Sequence, residues 1–293
     1  MRCFSFAGEE KFIKYEGLSI RMVTIGIIGG NGGMGSLFRR VLSKEHEVLV
    51  ADTDTELSNE ELARRSDIII IAVPIEKTVG VIESVAPLLT SGQLLMDVTS
   101  LKQEPMDAMQ KSQAHVIGAH PMFGPSVEGI AHQTVVLTPD SLDNPWLSRV
   151  RSFLERHGVR CTITTPEHHD RMMAVIQVLV HFNTIALGRT LSKLGLDIDE
   201  TLQFTSPIYR MELAMVGRIF AQDPSLYGNI QMRNPQGMDV LNTHHETIKD
   251  LLDTIGRKDL DAFMASFNEG AAFFKDFRKT ALEESERLLR RLH

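Results

Sequence analysis

The chain has 293 residues, of which 43% are hydrophobic and 24% charged, and its formal net charge is −7 at pH 7. This length suffices for a substantial core and favours two ordinary domains over one large domain. The acidic balance and the lack of a basic cluster argue against a nucleic-acid partner. Cys3 and Cys161 form neither a disulfide framework nor a metal-ligand pair, as is typical of a cytoplasmic protein without a metal site.

Residues 1–21 have mixed charge and lack the apolar centre of a signal peptide. We interpret them as an N-terminal extension, either a peripheral segment or the product of an upstream start, because Met22 directly precedes the first predicted strand. No membrane span is expected. The apolar run 67–73 is too short, and residues 172–187 are interrupted by polar side chains that are costly in lipid.

A glycine-rich segment, GGNGGMG, follows the first predicted strand at residues 23–28. Gly30, Gly32 and Gly35 satisfy the pattern G-x-G-x-x-G, which predicts a tight turn, a close approach to a pyrophosphate, and a helix packed against the strand. The pyrophosphate would lie at the helix N-terminus. The pattern alone leaves a flexible turn open as the alternative. The predicted cofactor-binding residues of this segment are Gly30, Asn31, Gly32, Gly33, Met34 and Gly35.

Asp52 ends the second predicted strand, residues 47–51, and lies 22 residues after Gly30. An acidic side chain at about this spacing accepts hydrogen bonds from the adenosine ribose, which favours NAD. Asp54 would repel the 2′-phosphate of NADP, and no arginine follows the strand to bind it. The alternative is that Asp52 only caps a turn.

Strand and helix signals continue to alternate beyond Asp52, as a doubly wound, mostly parallel sheet requires. After Pro166 strand signals vanish and helical periods continue to His293. We therefore predict an α/β Rossmann domain at residues 22–166 and an all-α domain at residues 167–293. Further strands are predicted at residues 68–73, 93–98, 116–119, 133–138 and 159–164, and helices at 36–43, 76–89 and 145–157.

Five phenylalanines recur in the helical half at a spacing that suits one apolar helix face. Core packing, of which a dimer interface is one form, is favoured over contact with a ligand. The residues are Phe263, Phe267, Phe273, Phe274 and Phe277.

Catalytic groups are expected where the carboxyl ends of parallel strands meet the cofactor. Residues 97–102 (DVTSLK) and 118–125 (GAHPMFGP) end there. In the second segment the following proline restricts His120 to extended geometry, which suits a positioned base that takes a hydroxyl proton. The alternative is a structural or solvated histidine.

Arg210 and Arg218 lie eight positions apart on one predicted helix. On an ideal helix this gives about 12 Å of rise and roughly 80° of rotation, so both side chains can address one small dianion. The guanidinium fork matches carboxylates. Surface ion pairs with Glu212 and Asp223 are the alternative.

Five segments together resemble the prephenate dehydrogenases of tyrosine biosynthesis, especially the dehydrogenase part of the bifunctional chorismate mutase/prephenate dehydrogenase. They read GGNGGMG, DVTSLK, GAHPMFGP, HHDRMMAVIQ and SPIYRMELAMVGRIFAQDPSLY. The resemblance implies a Rossmann domain, a helical dimerisation domain, and NAD-dependent oxidative decarboxylation of prephenate to 4-hydroxyphenylpyruvate. A homodimer is the expected assembly, with prephenate as the small-molecule substrate and tyrosine as a candidate inhibitor.

The resemblance also assigns residues. His120 matches the catalytic histidine, and Ser100 and Lys102 match the S-x-K segment beside substrate and nicotinamide. For the substrate, Arg218 matches an arginine that binds a carboxylate. Arg210 matches the arginine of the IYR motif, and His181 a histidine that faces the pocket.

The chain departs from the bifunctional members because residues 1–21 are too few for a mutase domain, so mutase activity is not expected. No C-terminal regulatory domain is expected either. Arogenate dehydrogenase activity and a noncatalytic NAD-binding sensor stay open as alternatives. A β-hydroxyacid dehydrogenase is disfavoured because residues 172–187 contain no lysine.

Overall fold

The computed structural model describes residues 12–15 and 18–291. It divides the chain into two compact units, the first ending at Met172 and the second beginning at Met173. Much of the predicted extension lies outside the described residues. Its described part contains two strands that the sequence did not predict, β1 (Phe12–Tyr15) and β2 (Leu18–Arg21), which pair antiparallel.

The first unit contains a sheet that has seven strands within the described residues. Its order is β4-β3-β5-β6-β7-β8-β9, and every neighbouring pair is parallel except β7 and β8. The predicted mostly parallel sheet is confirmed. The strands are β3 (Thr24–Ile28), β4 (Glu47–Ala51), β5 (Ile68–Ile71), β6 (Leu94–Asp97), β7 (His115–Pro121), β8 (Thr134–Pro139) and β9 (Arg160–Ile163).

Helices accompany the sheet, and apolar side chains form two core clusters. Ile68 and Ile70 belong to one cluster and Ile69 and Ile71 to the other, which explains why β5 is continuously apolar. The sequence did not predict α2 or α4, each only seven residues long. The helices are α1 (Gly33–Leu42), α2 (Asn59–Arg65), α3 (Ile75–Val85) followed by a 3₁₀ turn (Ala86–Leu88), α4 (Gln103–Met109) and α5 (Leu147–Arg156).

The second unit is helical throughout its described residues, as predicted. A long helix leads into it: α6 (Pro166–Met173) continues through a π-helical segment (Ala174–Leu179) into α7 (Val180–Leu194). The π-helical segment packs against α10 and α11, and α7 packs against α9. The later helices are α8 (Ile198–Gln203), α9 (Pro207–Phe220), α10 (Pro224–Arg233), α11 (Gly237–Gly256), α12 (Leu260–Phe274) and α13 (Phe277–Leu289).

The five phenylalanines predicted to pack in a core do not form the core of this single chain. They belong to α12 and α13, and between 38% and 79% of each residue is exposed. The prediction was wrong for the isolated chain because periodicity identifies an apolar face but not what covers it. A second chain is one surface that would cover it.

The helix Pro166–Leu194 is long and apolar enough to cross a membrane. Core helices of soluble proteins meet the same criteria of length and mean hydropathy. It carries polar side chains with partners on other helices of the second unit. Asn183 Oδ1 lies 2.7 Å from His244 Nε2, and the His181 ring packs edge-on against Tyr227 at 4.9 Å. These contacts are those of a helix packed within a protein domain.

Candidate active site

The glycine-rich loop lies at the switch point of the sheet, where β3 pairs with both β4 and β5. Ligands of doubly wound sheets bind at this position. Gly29 has φ of +81°, and its N–H donates to Ala51 O at 2.8 Å. Gly29 therefore makes the tight turn that the sequence analysis placed at Gly30. A Cβ on Gly30 would instead lie 2.6 Å from Val50 Cγ1, so its lack of a side chain allows close packing.

The close packing of the next helix, predicted at the third glycine, is present in the structure. A Cβ on Gly35 would lie only 2.1 Å from Gly29 O, so α1 begins directly against the turn. Gly32 is the N-cap of α1 and provides no side-chain hydrogen bond to it. The first N–H groups of a helix have no intrahelical partner, so this end of α1 can bind the phosphates of a dinucleotide.

Asp52 lies beside the glycine loop. Its Oδ2 accepts a hydrogen bond from Asn31 N at 2.9 Å, and its Oδ1 accepts one from Thr53 N at 2.8 Å. Burial raises the pKa of the Asp52 carboxyl, but the N–H groups of Thr53 and Asn31 outweigh burial and lower the pKa overall. An ionised carboxylate at the end of β4 is an acceptor for ribose hydroxyls, and it also caps the local turn.

In the Asp52→Ser variant the preference for NAD over NADP should be at least about tenfold smaller than in the wild type, since a hydrogen bond to a charged group contributes about 1.5–3 kcal/mol. The measurement is the ratio of kcat/KM with the two cofactors. Glu56→Gln removes one negative charge from an exposed site nearby and is the matched control. Equal use of NAD and NADP by the wild-type protein would contradict the assignment.

His120 lies near the carboxyl end of β7 and is 3% exposed. Its Nδ1 is 2.8 Å from Nε2 of His169, and His169 Nδ1 is 2.7 Å from Oδ1 of Asp170. His169 and Asp170 belong to α6 and are each 1% exposed. The three side chains form a buried series of hydrogen-bonding groups inside the first unit.

Burial lowers the pKa of His120 well below its ordinary value, and the neighbouring His169 ring and the positive charge of Lys102 lower it further. His120 is therefore neutral at physiological pH. A neutral imidazole retains one nitrogen lone pair, which is what a general base requires.

Lys102 is fully buried and forms an ion pair with Oδ2 of Asp97, itself fully buried. Thr99 N donates to the same oxygen at 3.0 Å. The family resemblance predicts Lys102 beside substrate and nicotinamide. In the structure its ammonium is enclosed, and its charge lowers the pKa of His120. Ser100 follows β6 and is half-buried.

The second unit holds the predicted substrate-binding residues. The His181 ring contacts Tyr227, and its buried Nδ1 has no hydrogen-bond partner among the described residues. Burial lowers the pKa of His181. Burial also raises the pKa of Tyr227, while the charge of Arg218 opposes that rise. His181 and Arg218 are thus both near Tyr227.

Arg210 and Arg218 lie on α9 and are both exposed. Neither forms an ion pair with another described residue. The alternative partner Asp223 instead caps α10 by accepting from Ser225 N at 2.9 Å. The structure thus leaves both guanidinium groups available to an anionic ligand.

Four residues at or near these groups had no role predicted from the sequence: His169, Asp170, Asp97 and Tyr227. The adjacent pair His169 and Asp170 stood within the quoted segment HHDRMMAVIQ. The sequence signal for these two residues was an imidazole next to a carboxylate on the helix that follows the last strand. The contact of His169 with His120, 49 residues away in sequence, becomes visible only in the fold.

Comparison with known sequences places both units. A family profile described as "Prephenate dehydrogenase, nucleotide-binding domain" matches residues 41–163, and one described as "Prephenate dehydrogenase, dimerization domain" matches residues 165–269. A "Probable arogenate/prephenate dehydrogenase" of Methanocaldococcus jannaschii is 39% identical over 86% of this chain, which spans 61% of that relative's length. The "T-protein" of Haemophilus influenzae is 35% identical over 97% of this chain and 76% of its own length.

Solved structures show the same architecture. A prephenate dehydrogenase from A. aeolicus, in complex with hydroxyphenyl propionate and NAD+, aligns with a TM-score of 0.67 at 18% identity and covers 90% of this chain and 99% of its own. The arogenate dehydrogenase from Synechocystis aligns with a TM-score of 0.64 at 20% identity and covers 87% of this chain and 99% of its own. At these low identities the likeness supports the fold alone.

Proposed function

The chain belongs to the prephenate dehydrogenase family, and from this premise we propose that it catalyses the NAD-dependent oxidative decarboxylation of prephenate to 4-hydroxyphenylpyruvate. The observation that carries the proposal is His120. It is a neutral, buried imidazole at the carboxyl edge of the sheet whose switch point holds the glycine-rich loop. A base and a dinucleotide loop at one sheet edge are what a hydride-transferring dehydrogenase requires.

The proposed reaction requires that the substrate be oriented against the cofactor and that one base take its hydroxyl proton. Prephenate carries a hydroxyl and a carboxylate at opposite positions of a cyclohexadiene ring. His120 takes the hydroxyl proton as hydride leaves the same carbon, the carboxylate departs as CO2, and the ring becomes aromatic. His120 then returns the proton to the phenolate oxygen, which gives 4-hydroxyphenylpyruvate and restores the neutral base. NAD supplies the hydride acceptor when bound, and Gly32, Gly35 and Asp52 are positioned to hold it.

The substrate carries two carboxylates, which an acidic protein would repel without local positive charge. Exposed Arg218, near His181 and Tyr227, is the proposed carboxylate anchor, and Arg210 is a second candidate on the same helix. Lys102 is proposed to tune His120 through its charge, because its ammonium is enclosed with Asp97.

Residues 22–166 are proposed as the NAD-binding domain and residues 167–293 as the substrate-binding and dimerisation domain. The exposed apolar residues of α12 and α13 support a homodimer, since a second copy would remove them from water. We propose a cytoplasmic enzyme, consistent with its two cysteines and the biosynthetic reaction.

The test is NADH formation measured with prephenate and with arogenate side by side. Faster turnover of prephenate supports the proposal. Arogenate carries an amino acid side chain in place of the pyruvyl group, and the name of the Methanocaldococcus relative keeps it as the second candidate substrate. Binding of NAD with no NADH from either substrate would instead indicate a noncatalytic sensor and would overturn the proposal.

A further inference from the structure

The series Asp170, His169, His120 contains enough hydrogen-bonding information to assign its protons. We propose that His169 is a positioning residue that holds His120 as the tautomer protonated at Nδ1, so that Nε2 of His120 is the atom that accepts the substrate proton. The catalytic part of this inference rests on the proposed function. The tautomer itself is a property of the protein alone.

Two backbone N–H groups donate to Asp170. Its Oδ1 accepts from Lys102 N at 2.9 Å, and its Oδ2 accepts from Gln103 N at 3.0 Å. Backbone N–H groups only donate, so both carboxylate oxygens act as acceptors. His169 Nδ1 lies 2.7 Å from the same Oδ1. The proton in that contact therefore belongs to Nδ1 of His169.

His169 in turn determines the tautomer of His120. A neutral imidazole with its proton on Nδ1 has its lone pair on Nε2. His169 Nε2 is thus an acceptor, and the group 2.8 Å away, His120 Nδ1, has to be the donor. The remaining ring nitrogen of His120, Nε2, then carries the lone pair.

Burial makes this arrangement specific. His120 is 3% exposed and His169 and Asp170 are each 1% exposed, so water does not readily replace any partner. The backbone N–H groups that donate to Asp170 lie at the start of α4. They hold the Asp170 carboxylate in place from outside the helix to which Asp170 belongs. A hydrogen bond on the second nitrogen is the usual way in which proteins select a histidine tautomer and ring orientation.

Each bond that breaks is matched by one that forms, without any proton transfer along the series. The substrate O–H bond breaks and an N–H bond forms at His120 Nε2 as hydride leaves the carbon, for which bound NAD would be the acceptor, and CO2 departs. The imidazolium of His120, whose Nδ1–H still donates to His169, then returns the proton from Nε2 to the phenolate oxygen of the product. Asp170 accepts hydrogen bonds throughout and so orients the series.

The tautomer test needs no substrate. In protein labelled with ¹⁵N-histidine, the His120 resonances are identified by their loss in His120→Asn, and their ¹⁵N shifts report which nitrogen is protonated. We expect Nδ1 protonated and Nε2 unprotonated in the wild type. His169→Phe keeps a ring but removes the acceptor and should abolish this preference, whereas His169→Gln offers an amide oxygen and should retain it. His168→Phe, at the exposed neighbouring position, is the matched control.

The kinetic test uses the same variants. His169→Phe should lower kcat with prephenate at least about tenfold while KM stays within about threefold, because a wrong tautomer removes the base without removing substrate contacts. His169→Gln should recover part of kcat. A wild-type His120 protonated at Nε2, or a folded His169→Phe variant with normal kcat, would overturn the inference. Should His169→Phe fail to fold, the wild-type tautomer and His169→Gln decide it. A wild type that makes no NADH removes the proposed function but leaves the tautomer measurement intact.

Discussion

Replacement of His120 with asparagine should lower kcat with prephenate by about two to four orders of magnitude, the usual contribution of a positioned base. The asparagine amide can still donate from the position of Nδ1 toward His169, so the buried cavity keeps a polar partner. What the variant loses is Nε2. The KM for prephenate should therefore change little, and steady-state NADH formation measures both parameters.

His115→Asn is the matched control, because His115 begins the same strand at its opposite end. It should leave kcat unchanged. The wild-type pH profile provides an independent check. Burial, the neighbouring His169 ring and the charge of Lys102 all lower the pKa of His120, so the active neutral form persists in mild acid. The acidic limb of kcat/KM should fall below about pH 6.5, the ordinary histidine value. Near-normal turnover of His120→Asn would show that another group takes the proton.

The Rossmann domain was predictable because each of its strands leaves a local signal. The isoleucine run of β5 is buried on both faces of the sheet, and such a strand needs no alternation. The glycine fingerprint likewise predicted a loop at the end of β3. The predicted position of the tight turn was wrong by one residue, because the positive φ belongs to Gly29 and not to Gly30. A pattern of glycines does not show which of them turns the chain.

The surroundings of His120 were predictable only in part. Proline after His120 indicated a fixed geometry for this residue of β7. His169 contacts it from helix α6, and that contact depends on how α6 meets the sheet. Lys102 is a second example. The family resemblance predicted its place beside substrate and nicotinamide, but its ion pair with buried Asp97 became visible only in the fold. Sequence position along a strand end does not determine which way a long side chain points.

The Arg218→Ala variant should raise the KM for prephenate by tens to thousands of fold while the KM for NAD changes little. Removing one partner of a desolvated charge pair costs about 2–5 kcal/mol, and each 1.4 kcal/mol is about tenfold in affinity. Arg218 is exposed in the single chain, so the desolvation in this argument arises when substrate and the surrounding protein cover it. The charge of Arg218 already reaches Tyr227.

Replacing Arg218 with lysine distinguishes the contribution of its positive charge from that of its planar guanidinium geometry. Arg218→Lys should recover only part of the lost affinity, because an ammonium supplies charge without the planar fork that binds a carboxylate at two points. Arg189→Ala, at an exposed position on α7, controls for the loss of one positive charge. If Arg218→Ala weakens NAD and prephenate equally, or lowers only the melting temperature, Arg218 is structural. The carboxylate anchor would then be Arg210 or His181, since the enclosed ammonium of Lys102 is already paired with Asp97.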